Sequence, residues 1–493
     1  MRRITVAWLF GSIFFTAIAG APVTLFAAAM GATPFTFGLL AAMPFLASLL
    51  SLPAGMLIDR FGHRKLIFFL AIYPQRFLWA VVGLAPMWLA GYFGGTFAPS
   101  AVALWTFMGL LLLMWCGTAV AGPAWTSWMA DIIPPRRRGA YFARRRQWGI
   151  VTAVPTALIV GLLLDRVTDP ADPSAVLPWI AGIFIVAAVV GVIDIALFHA
   201  VPDVPQPPRV PEPLFASMRR PLGDRQFLYF AGYVGTLMFA VAPMGQFVTL
   251  YFIQRLQMDN TQVQLILLAV PLAAQLLVLG LWGKVADRFG KKPVLSIASL
   301  GMVPVGLGWV LMNEELVWLG YLLSATGAAL WVGIEVANFN MLLEFGGAGG
   351  RGGRAGSSYI AVNGVIINLS GVAGGLAFGQ IASSLDGWSW QTGLPLVATV
   401  GPFEVLFAVS AVLRLLAVVV FLPHVKEPAA RPTREAVRFM YANIYSNVFS
   451  AALQPLRLLR PAMRRERRTQ ARLRRRADAA AGRRRPAAAN RPD

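Results

Sequence analysis

Cysteine, histidine and charge are scarce in this chain of 493 residues. Cys116 is the only cysteine, and His63, His199 and His424 lie far apart in the sequence. A secreted fold held by disulfide bonds is excluded, and the sequence has no zinc, haem or iron–sulfur ligand spacing. No Cys–His or Ser–His arrangement suggests a catalytic nucleophile. We therefore expect no cofactor, no metal site and no enzymatic activity.

Charged side chains make up 13% of the residues and apolar side chains 57%. Soluble domains carry roughly 25% charge, so this chain has too little polar surface to enclose its apolar mass in water. The net charge of +21 is uneven, because residues 424–493 hold 18 basic and 5 acidic side chains. The composition predicts an apolar body in lipid with a strongly basic tail.

Apolar segments long enough to cross a bilayer follow one another through the first 423 residues. A hydrocarbon core of about 30 Å requires about 20 apolar residues per helix. The run after Met1-Arg2-Arg3 could be a cleaved signal peptide, but it is too long for one, which favours an uncleaved helix. Twelve membrane helices are predicted, near residues 5–28, 36–57, 66–87, 103–129, 147–165, 177–199, 227–251, 262–283, 293–312, 316–341, 358–383 and 402–422.

The basic residues predict the orientation of these helices. If the N-terminus is cytoplasmic, the external loops contain two basic residues, Arg166 and Arg255, whereas the internal loops contain many more, among them six arginines between residues 136 and 146. Cytoplasmic loops are enriched in lysine and arginine. We therefore expect a multi-pass protein of the bacterial inner membrane with both termini in the cytoplasm.

One motif occurs twice. GMLIDRFGHRK (residues 55–65) returns as GKVADRFGKKP (residues 283–293). Both copies follow the second helix of a group of six, which indicates two duplicated halves, as in some secondary transporters. The predicted domains are an N-terminal half (1–200), a proline-rich linker not expected to be helical (201–225), a C-terminal half (226–423) and the basic tail (424–493).

On these motifs the sequence resembles the major facilitator superfamily of secondary transporters. Pro135, Arg138 and Gly139 after helix 4 match its P-x-x-R-G pattern, and the loop after helix 10 keeps Arg354 and Tyr359. Helix 5 lacks the family's glycine-rich antiporter signature. The resemblance implies an all-α membrane fold of twelve helices in two pseudo-symmetric halves, working as a monomer.

The resemblance also implies a gate at the cytoplasmic ends of the helices. In the N-terminal half, Asp131 would pair with Arg60 or Arg64, and Asp59 would face the start of helix 11. Such a latch would hold the gate shut when the cavity opens outward. The simpler interpretation is that these charges only fix the topology.

The C-terminal half would repeat this arrangement. Glu344 would pair with Arg288 or Lys292, and Asp287 would face the start of helix 5. The predicted gate residues are Gly55, Asp59, Arg60, Gly62, Arg64, Gly283, Asp287, Arg288, Gly290 and Lys292, with Asp131, Arg138, Glu344 and Arg354 as partners.

Charges within the helices are costly in lipid and therefore indicate partners or a wet cavity. Glu335 and Asn338 share a face of helix 10, where Glu335 could couple protons or bind a cationic group, or could pair with an arginine at the rim. Arg76 and Asp194 lie in helices 3 and 6, which the resemblance implies are peripheral, and this favours a structural ion pair over the alternative of a substrate site. Further residues predicted to line the cavity are Trp115, Thr118, Tyr233 and Gln246.

The tail has two parts. Residues 434–453 have apolar side chains at helical spacing, which predicts an amphipathic helix along the inner membrane face. Residues 464–476 are polybasic, so we expect them to bind anionic lipid; nucleic-acid binding is the rival, which a membrane tether disfavours.

The sequence therefore predicts a secondary transporter that moves a small solute by alternating access, driven by a proton or solute gradient. No phosphate-binding loop suggests that ATP drives it. The alternative is a receptor or lipid-handling protein, without transport, on the same scaffold.

Overall fold

The computed structural model describes residues 2–169, 171–204, 214–347, 354–394, 397–427 and 430–452. The side chains of several of these residues, 135–140 and 354–357 among them, lie outside this description. Twelve described helices are long and apolar enough to cross a membrane, so the predicted number of membrane helices is confirmed. Helices 1 to 12 are Arg3–Ala29, Pro34–Phe61, Arg64–Leu89, Ala101–Ile132, Arg144–Val167, Leu177–Ala200, Arg225–Arg255, Asn260–Phe289, Lys291–Val310, Glu314–Phe345, Ser358–Ser384 and Pro402–His424.

Some of these helices are interrupted and one is extended. Helix 1 consists of Arg2–Ala17 and Ala21–Ala29, separated at Gly20, whose φ of 75° suits glycine. Helix 2 consists of Pro34–Ser48 and Ser51–Phe61. Helix 5, in contrast, is part of a continuous helix from Pro135 to Val167. Membrane helices tolerate breaks where neighbouring elements satisfy the freed backbone groups.

Three elements lie outside the membrane helices. A linker helix, Leu214–Gly223, forms within the segment that we predicted to be non-helical, because the prolines are concentrated before residue 214. Two antiparallel strands, Trp390–Leu394 and Val397–Val400, connect helices 11 and 12, with Trp390 opposite Val400. A tail helix spans Thr433–Ala452.

The buried side chains form three apolar clusters, which show how the halves meet. We call the end of the bundle with the two motif copies and the tail helix the basic face, and the other end the opposite face. At the opposite face one cluster contains side chains of both halves, such as Phe26, Phe107, Phe252 and Trp309. At the basic face each half has its own cluster. The apolar side chains of the two halves therefore form one cluster at the opposite face and two at the basic face, although Arg146 at the start of helix 5 still reaches Gln275 in the middle of helix 8.

Candidate functional site

The first motif copy ties helices 2, 3 and 4 together through Arg64. Gly62 ends helix 2 with a φ of 70°, which starts helix 3 at Arg64. The Arg64 side chain is 1% exposed, and its Nη1 lies 2.7 Å from Asp131 Oδ2. It also donates to the Ser127 carbonyl (2.9 Å) and the Val204 carbonyl (2.7 Å). Of the two partners predicted for Asp131, the structure selects Arg64, while Arg60 is exposed.

The second copy is built differently from our prediction. Glu344 pairs with Lys291, not with Arg288 or Lys292. The reason is that Gly290 starts helix 9 at Lys291, whose side chain then points to the end of helix 10. The Lys292 ammonium instead donates to the Pro423 carbonyl (3.1 Å).

The tail contributes to this second copy. Glu427 accepts hydrogen bonds from the backbone N–H groups of Lys291 (3.0 Å) and Lys292 (2.7 Å), so it caps helix 9. Arg288 lies 5.0 Å from the centre of the Phe439 ring of the tail helix. The tail helix is thus docked on the second motif copy through one of its faces.

The two aspartates predicted to cross between the halves have no hydrogen bond or ion pair among the described residues. Asp59 and Asp287 are exposed, and open space surrounds Gly55 and Gly283 one turn away. The predicted partners Arg138 and Arg354 have side chains that lie outside the described part of the chain. The described part of the basic face therefore has no latch at Asp59 in this conformation.

The opposite face is held by polar contacts between the halves. Asp165, at the end of helix 5, accepts hydrogen bonds from the backbone N–H groups of Asn260 (2.5 Å) and Thr261 (3.1 Å), which begin helix 8. A carboxylate at a helix N-terminus satisfies free N–H groups and complements the helix dipole. The Thr24 hydroxyl donates to Gln246 Oε1 (3.2 Å) between helices 1 and 7.

Close packing of helices 2 and 11 completes the closure of this face. Gly38 packs against the backbone of Gly375 and Gly379, and Gly371 lies against the Phe45 ring. The three glycines of helix 11 recur every four residues, so they form one smooth stripe. A side chain at Gly38 would clash with the backbone of helix 11.

Helices 4 and 10 expose different faces at their two ends. Near the opposite face helix 4 exposes Trp105, Gly109 and Leu113, and helix 10 exposes Trp318, Leu322 and Thr326. Nearer the basic face they expose Gly122 and Thr126, and Glu335 and Phe339. Nine residues of α-helix separate Leu113 from Gly122 and Thr326 from Glu335, a rotation of two and a half turns, so Gly122 and Glu335 point away from those exposed residues. Because the apolar clusters of the halves separate only towards the basic face, we infer that Gly122 and Glu335 face a gap between the halves there.

Glu335 is therefore on the gap-facing side of helix 10. Its Oε1 accepts a hydrogen bond from Trp331 Nε1 at 3.0 Å, and it has no basic partner among the described residues. Asn338 is partly buried beside it. Among the described residues, Glu335 does not pair with an arginine at the rim.

The other residues predicted for the cavity are dispersed. Tyr233 is fully buried and lies 2.5 Å from the Ser299 hydroxyl of helix 9, so it packs inside the C-terminal half and does not line a cavity. Gln246 belongs to the closed opposite face, and Trp115 packs against the cluster there. The Thr118 hydroxyl donates to the Met114 carbonyl (3.2 Å) on its own helix.

Arg76 and Asp194 do form a buried pair, but a third charge lies near it. Arg76 Nη2 is 3.5 Å from Asp194 Oδ2, and the residues are 2% and 5% exposed. Arg145 of helix 5 is also within electrostatic reach of Asp194. Its guanidinium lies 4.0 Å from the ring centre of Trp8 and 4.8 Å from that of Trp125.

These three charges border a cavity of about 330 Å³ inside the N-terminal half. We call it the N-half pocket. Helices 1, 3, 4, 5 and 6 form its wall, with Thr118 and Thr126 on the side of helix 4. Its lining consists of Trp8, Phe15, Phe68, Ile72, Arg76, Thr118, Ala121, Gly122, Trp125, Thr126, Arg145, Asp194, Ile195 and Phe198.

Arg145 was not among the residues that we predicted for the site, because it belongs to a run of arginines assigned to a loop. The structure places it within a continuous helix that begins at Pro135. A signal was present: Arg145, Gly149, Thr152 and Thr156 follow one another at spacings of four and three, the period of one helix face. This stripe packs against helix 1, where Thr152 contacts Ser12 at 2.5 Å.

Comparison with known proteins now decides the family. The model of the Major Facilitator Superfamily matches residues 4–375. The chain belongs to this superfamily. It is a multi-pass membrane protein of a family of transporters, which confirms the family and fold predicted from the two motif copies.

Solved structures of the same fold resemble the chain over most of its length. The nucleoside transporter NupG aligns with a TM-score of 0.60 and 11% identity, covering 86% of this chain and 98% of that one. A D-xylose–proton symporter aligns with a TM-score of 0.57 and 16% identity, covering 86% and 98%. A bacterial homologue of the iron transporter ferroportin aligns with a TM-score of 0.61 and 13% identity, also covering 86% and 98%. Curated protein sequences give no match. Identities this low establish a common fold only.

Proposed function

We propose that the protein is a secondary active transporter that moves a small solute across the inner membrane by alternating access. The main support for this proposal is that the two ends of the bundle are packed differently. The halves share one apolar cluster and the Asp165–helix 8 contact at the opposite face, and they have separate clusters at the basic face. With both termini in the cytoplasm, this is the conformation open to the cytoplasm.

The unengaged aspartates fit the same cycle. In the conformation open to the outside, the contacts of Asp165 and Gly38 would separate, and Asp59 would meet the start of helix 11. Asp287 would take the corresponding place near helix 5. The Arg64–Asp131 and Lys291–Glu344 pairs lie within one half each, so they can persist in both conformations.

Glu335 is the candidate coupling residue. It is a carboxylate on the gap-facing side of helix 10, and its one described polar partner is the neutral Trp331 indole. A carboxylate without a fixed positive partner can exchange a proton with water in the gap or bind a cationic group. The energy for transport would come from a proton or solute gradient.

The tail is proposed to hold the protein against anionic lipid. Val437 and Tyr441 are 49% and 85% exposed on the tail helix, on the side away from the docked Ala436 and Phe439. The polybasic residues 464–476, which lie outside the described residues, follow in sequence. Each basic residue near an anionic surface contributes about 1 kcal/mol to binding.

The test begins with purified full-length protein and a diverse solute library. Solutes that raise the unfolding temperature are then offered to proteoliposomes with and without an imposed pH gradient. We expect at least one such solute to accumulate, and Glu335→Gln to abolish its dependence on the pH gradient. Glu315→Gln, which neutralises an exposed carboxylate at the other end of helix 10, serves as the control. Solutes that bind without crossing the membrane would favour the receptor alternative and contradict this proposal.

A further inference from the structure

The N-half pocket has an excess of positive charge. Arg76 and Arg145 approach the single carboxylate of Asp194, which leaves a net charge of +1. Arg76 pairs with Asp194, and its Nη1 donates a hydrogen bond to Gln75 Oε1 (2.9 Å). Arg145 has no ion-pair partner of its own among the described residues. An unbalanced charge in a membrane interior is costly and attracts a counter-charge.

The hydrogen-bonding groups around the pocket also favour a negatively charged ligand. Trp8 Nε1, Arg76 Nε and Arg145 Nε are buried donors without an acceptor in the described structure. Asp194 Oδ2 accepts a hydrogen bond from Arg76 Nη2 at 3.5 Å. These buried donors add to the positive potential around the pocket without contacting a ligand in it, so a ligand that complements the pocket should be negatively charged.

Arg145 is the charge that a ligand can reach. Arg76 and Asp194 are buried, whereas Arg145 is partly exposed. Its guanidinium lies 4.0 Å from the centre of the Trp8 ring and 4.8 Å from that of the Trp125 ring. Such cation–π contacts help to position the group, and a guanidinium is a good partner for a planar carboxylate. Gly122 and Thr126, on the gap-facing side of helix 4, border the same cavity. A ligand can therefore enter from the gap between the halves.

We propose that the N-half pocket is the substrate site and that it binds a small organic monoanion. The carboxylate would pair with Arg145, and an aromatic or aliphatic body would lie against Trp8, Phe15 and Trp125. One negative charge balances the pocket, whereas a dianion would reverse its charge and a cation would add to it. The cavity of about 330 Å³ limits the ligand to a small one. That this ligand is transported rests on the proposed function.

The test measures binding of matched probes to the full-length protein by calorimetry. The probes are benzoate, 4-phenylbutyrate and indole-3-acetate, each compared with the alcohol and the amine of the same carbon skeleton. We expect at least one carboxylate to bind at least ten times more tightly than its alcohol and its amine. Equal binding of the alcohol or amine, or no carboxylate with a Kd below about 10 mM, would overturn the assignment.

Variants locate the binding. Arg145→Gln should weaken carboxylate binding by a factor of about ten to a hundred, as expected for loss of a charged hydrogen bond. Arg145→Lys should give an intermediate loss, because it keeps the charge without the planar fork. Arg144→Gln is the matched control, since the neighbouring Arg144 side chain is exposed. Equal affinities of the R144Q and R145Q variants would overturn the proposal.

The outcome separates the two proposals. Carboxylate binding that depends on Arg145, without uptake into proteoliposomes, would support the pocket and contradict transport. Uptake of a solute that does not depend on Arg145 would support transport and contradict the pocket. Unfolding temperatures of all variants exclude misfolding as the cause of any loss.

Discussion

The two halves share a fold and a motif but place their buried charges differently. In the N-terminal half Arg76 faces Asp194 across helices 3 and 6, with Arg145 close by. In the C-terminal half Arg414, which is 3% exposed, donates to the Met302 carbonyl (3.1 Å) and has no acidic partner among the described residues. The C-terminal half instead has a lone carboxylate, Glu335, on its gap-facing side. The two halves thus share the motif but differ in their interior charges, with two arginines and one aspartate near the N-half pocket and a lone glutamate on helix 10.

The largest effect should come from breaking the charge balance of the N-terminal half. Asp194→Asn leaves two guanidinium groups without a carboxylate, and losing one partner of a buried pair costs about 3–5 kcal/mol. Unfolding of the purified protein in a denaturing detergent measures this loss. Arg76→Met combined with Asp194→Asn should be less damaging than Asp194→Asn alone. Asp287→Asn, at an exposed carboxylate, is the control.

The corresponding change in the C-terminal half should have a smaller effect of opposite sign. Arg414→Met removes a buried charge that one carbonyl compensates, so we expect no loss of stability and a gain of up to about 2 kcal/mol. The same detergent unfolding measures it. If the unfolding free energy fell by more than about 2 kcal/mol, the charge of Arg414 would be compensated as well as that of Arg76. That result would contradict the difference between the halves.

The two motif copies differ in their dependence on the tail. Glu427→Ala removes the cap of helix 9, and loss of a cap costs about 1 kcal/mol. The first copy has no cap of this kind in the described residues, since His63 precedes helix 3 without a side-chain cap. We therefore expect His63→Ala to leave the unfolding free energy unchanged. Equal losses for both variants would contradict the difference.

A change at Asp59 should also have little effect on stability. Asp59→Asn should change the unfolding free energy by less than about 0.5 kcal/mol, because the side chain is exposed here. It should nevertheless slow solute uptake by proteoliposomes, since the latch forms in the other conformation. An unchanged uptake rate would contradict the latch.

The sequence predicted the scaffold well because each signal was long and repeated. Twelve apolar segments and two copies of an eleven-residue motif identify the membrane helices and the family. Local contacts were harder to predict. The partner of Glu344 depends on where helix 9 begins. Gly290 precedes the helix, so Lys291 is its first residue and reaches Glu344 in place of the neighbouring Lys292.

The candidate site was only partly predictable for the same reason. Glu335 was found because a carboxylate in an apolar helix is conspicuous. Arg145 was missed because a run of arginines is typical of a cytoplasmic loop. Only the packing of helix 5 against helix 1 places it beside a pocket. Tyr233 was misplaced because an aromatic residue in a cavity helix can face either the gap or the neighbouring helices.

Distances between spin labels on helices 5 and 8 test alternating access most directly. With Cys116 replaced by alanine, one pair of labels at positions 166 and 259 reports on the opposite face, and another at positions 144 and 284 on the basic face. In this conformation Asp165 and Asn260 hold the opposite face together. When a transported solute or a pH gradient is applied, we predict that the distance at the opposite face increases as the distance at the basic face decreases. Distances that do not change, or that change in the same direction, would contradict it.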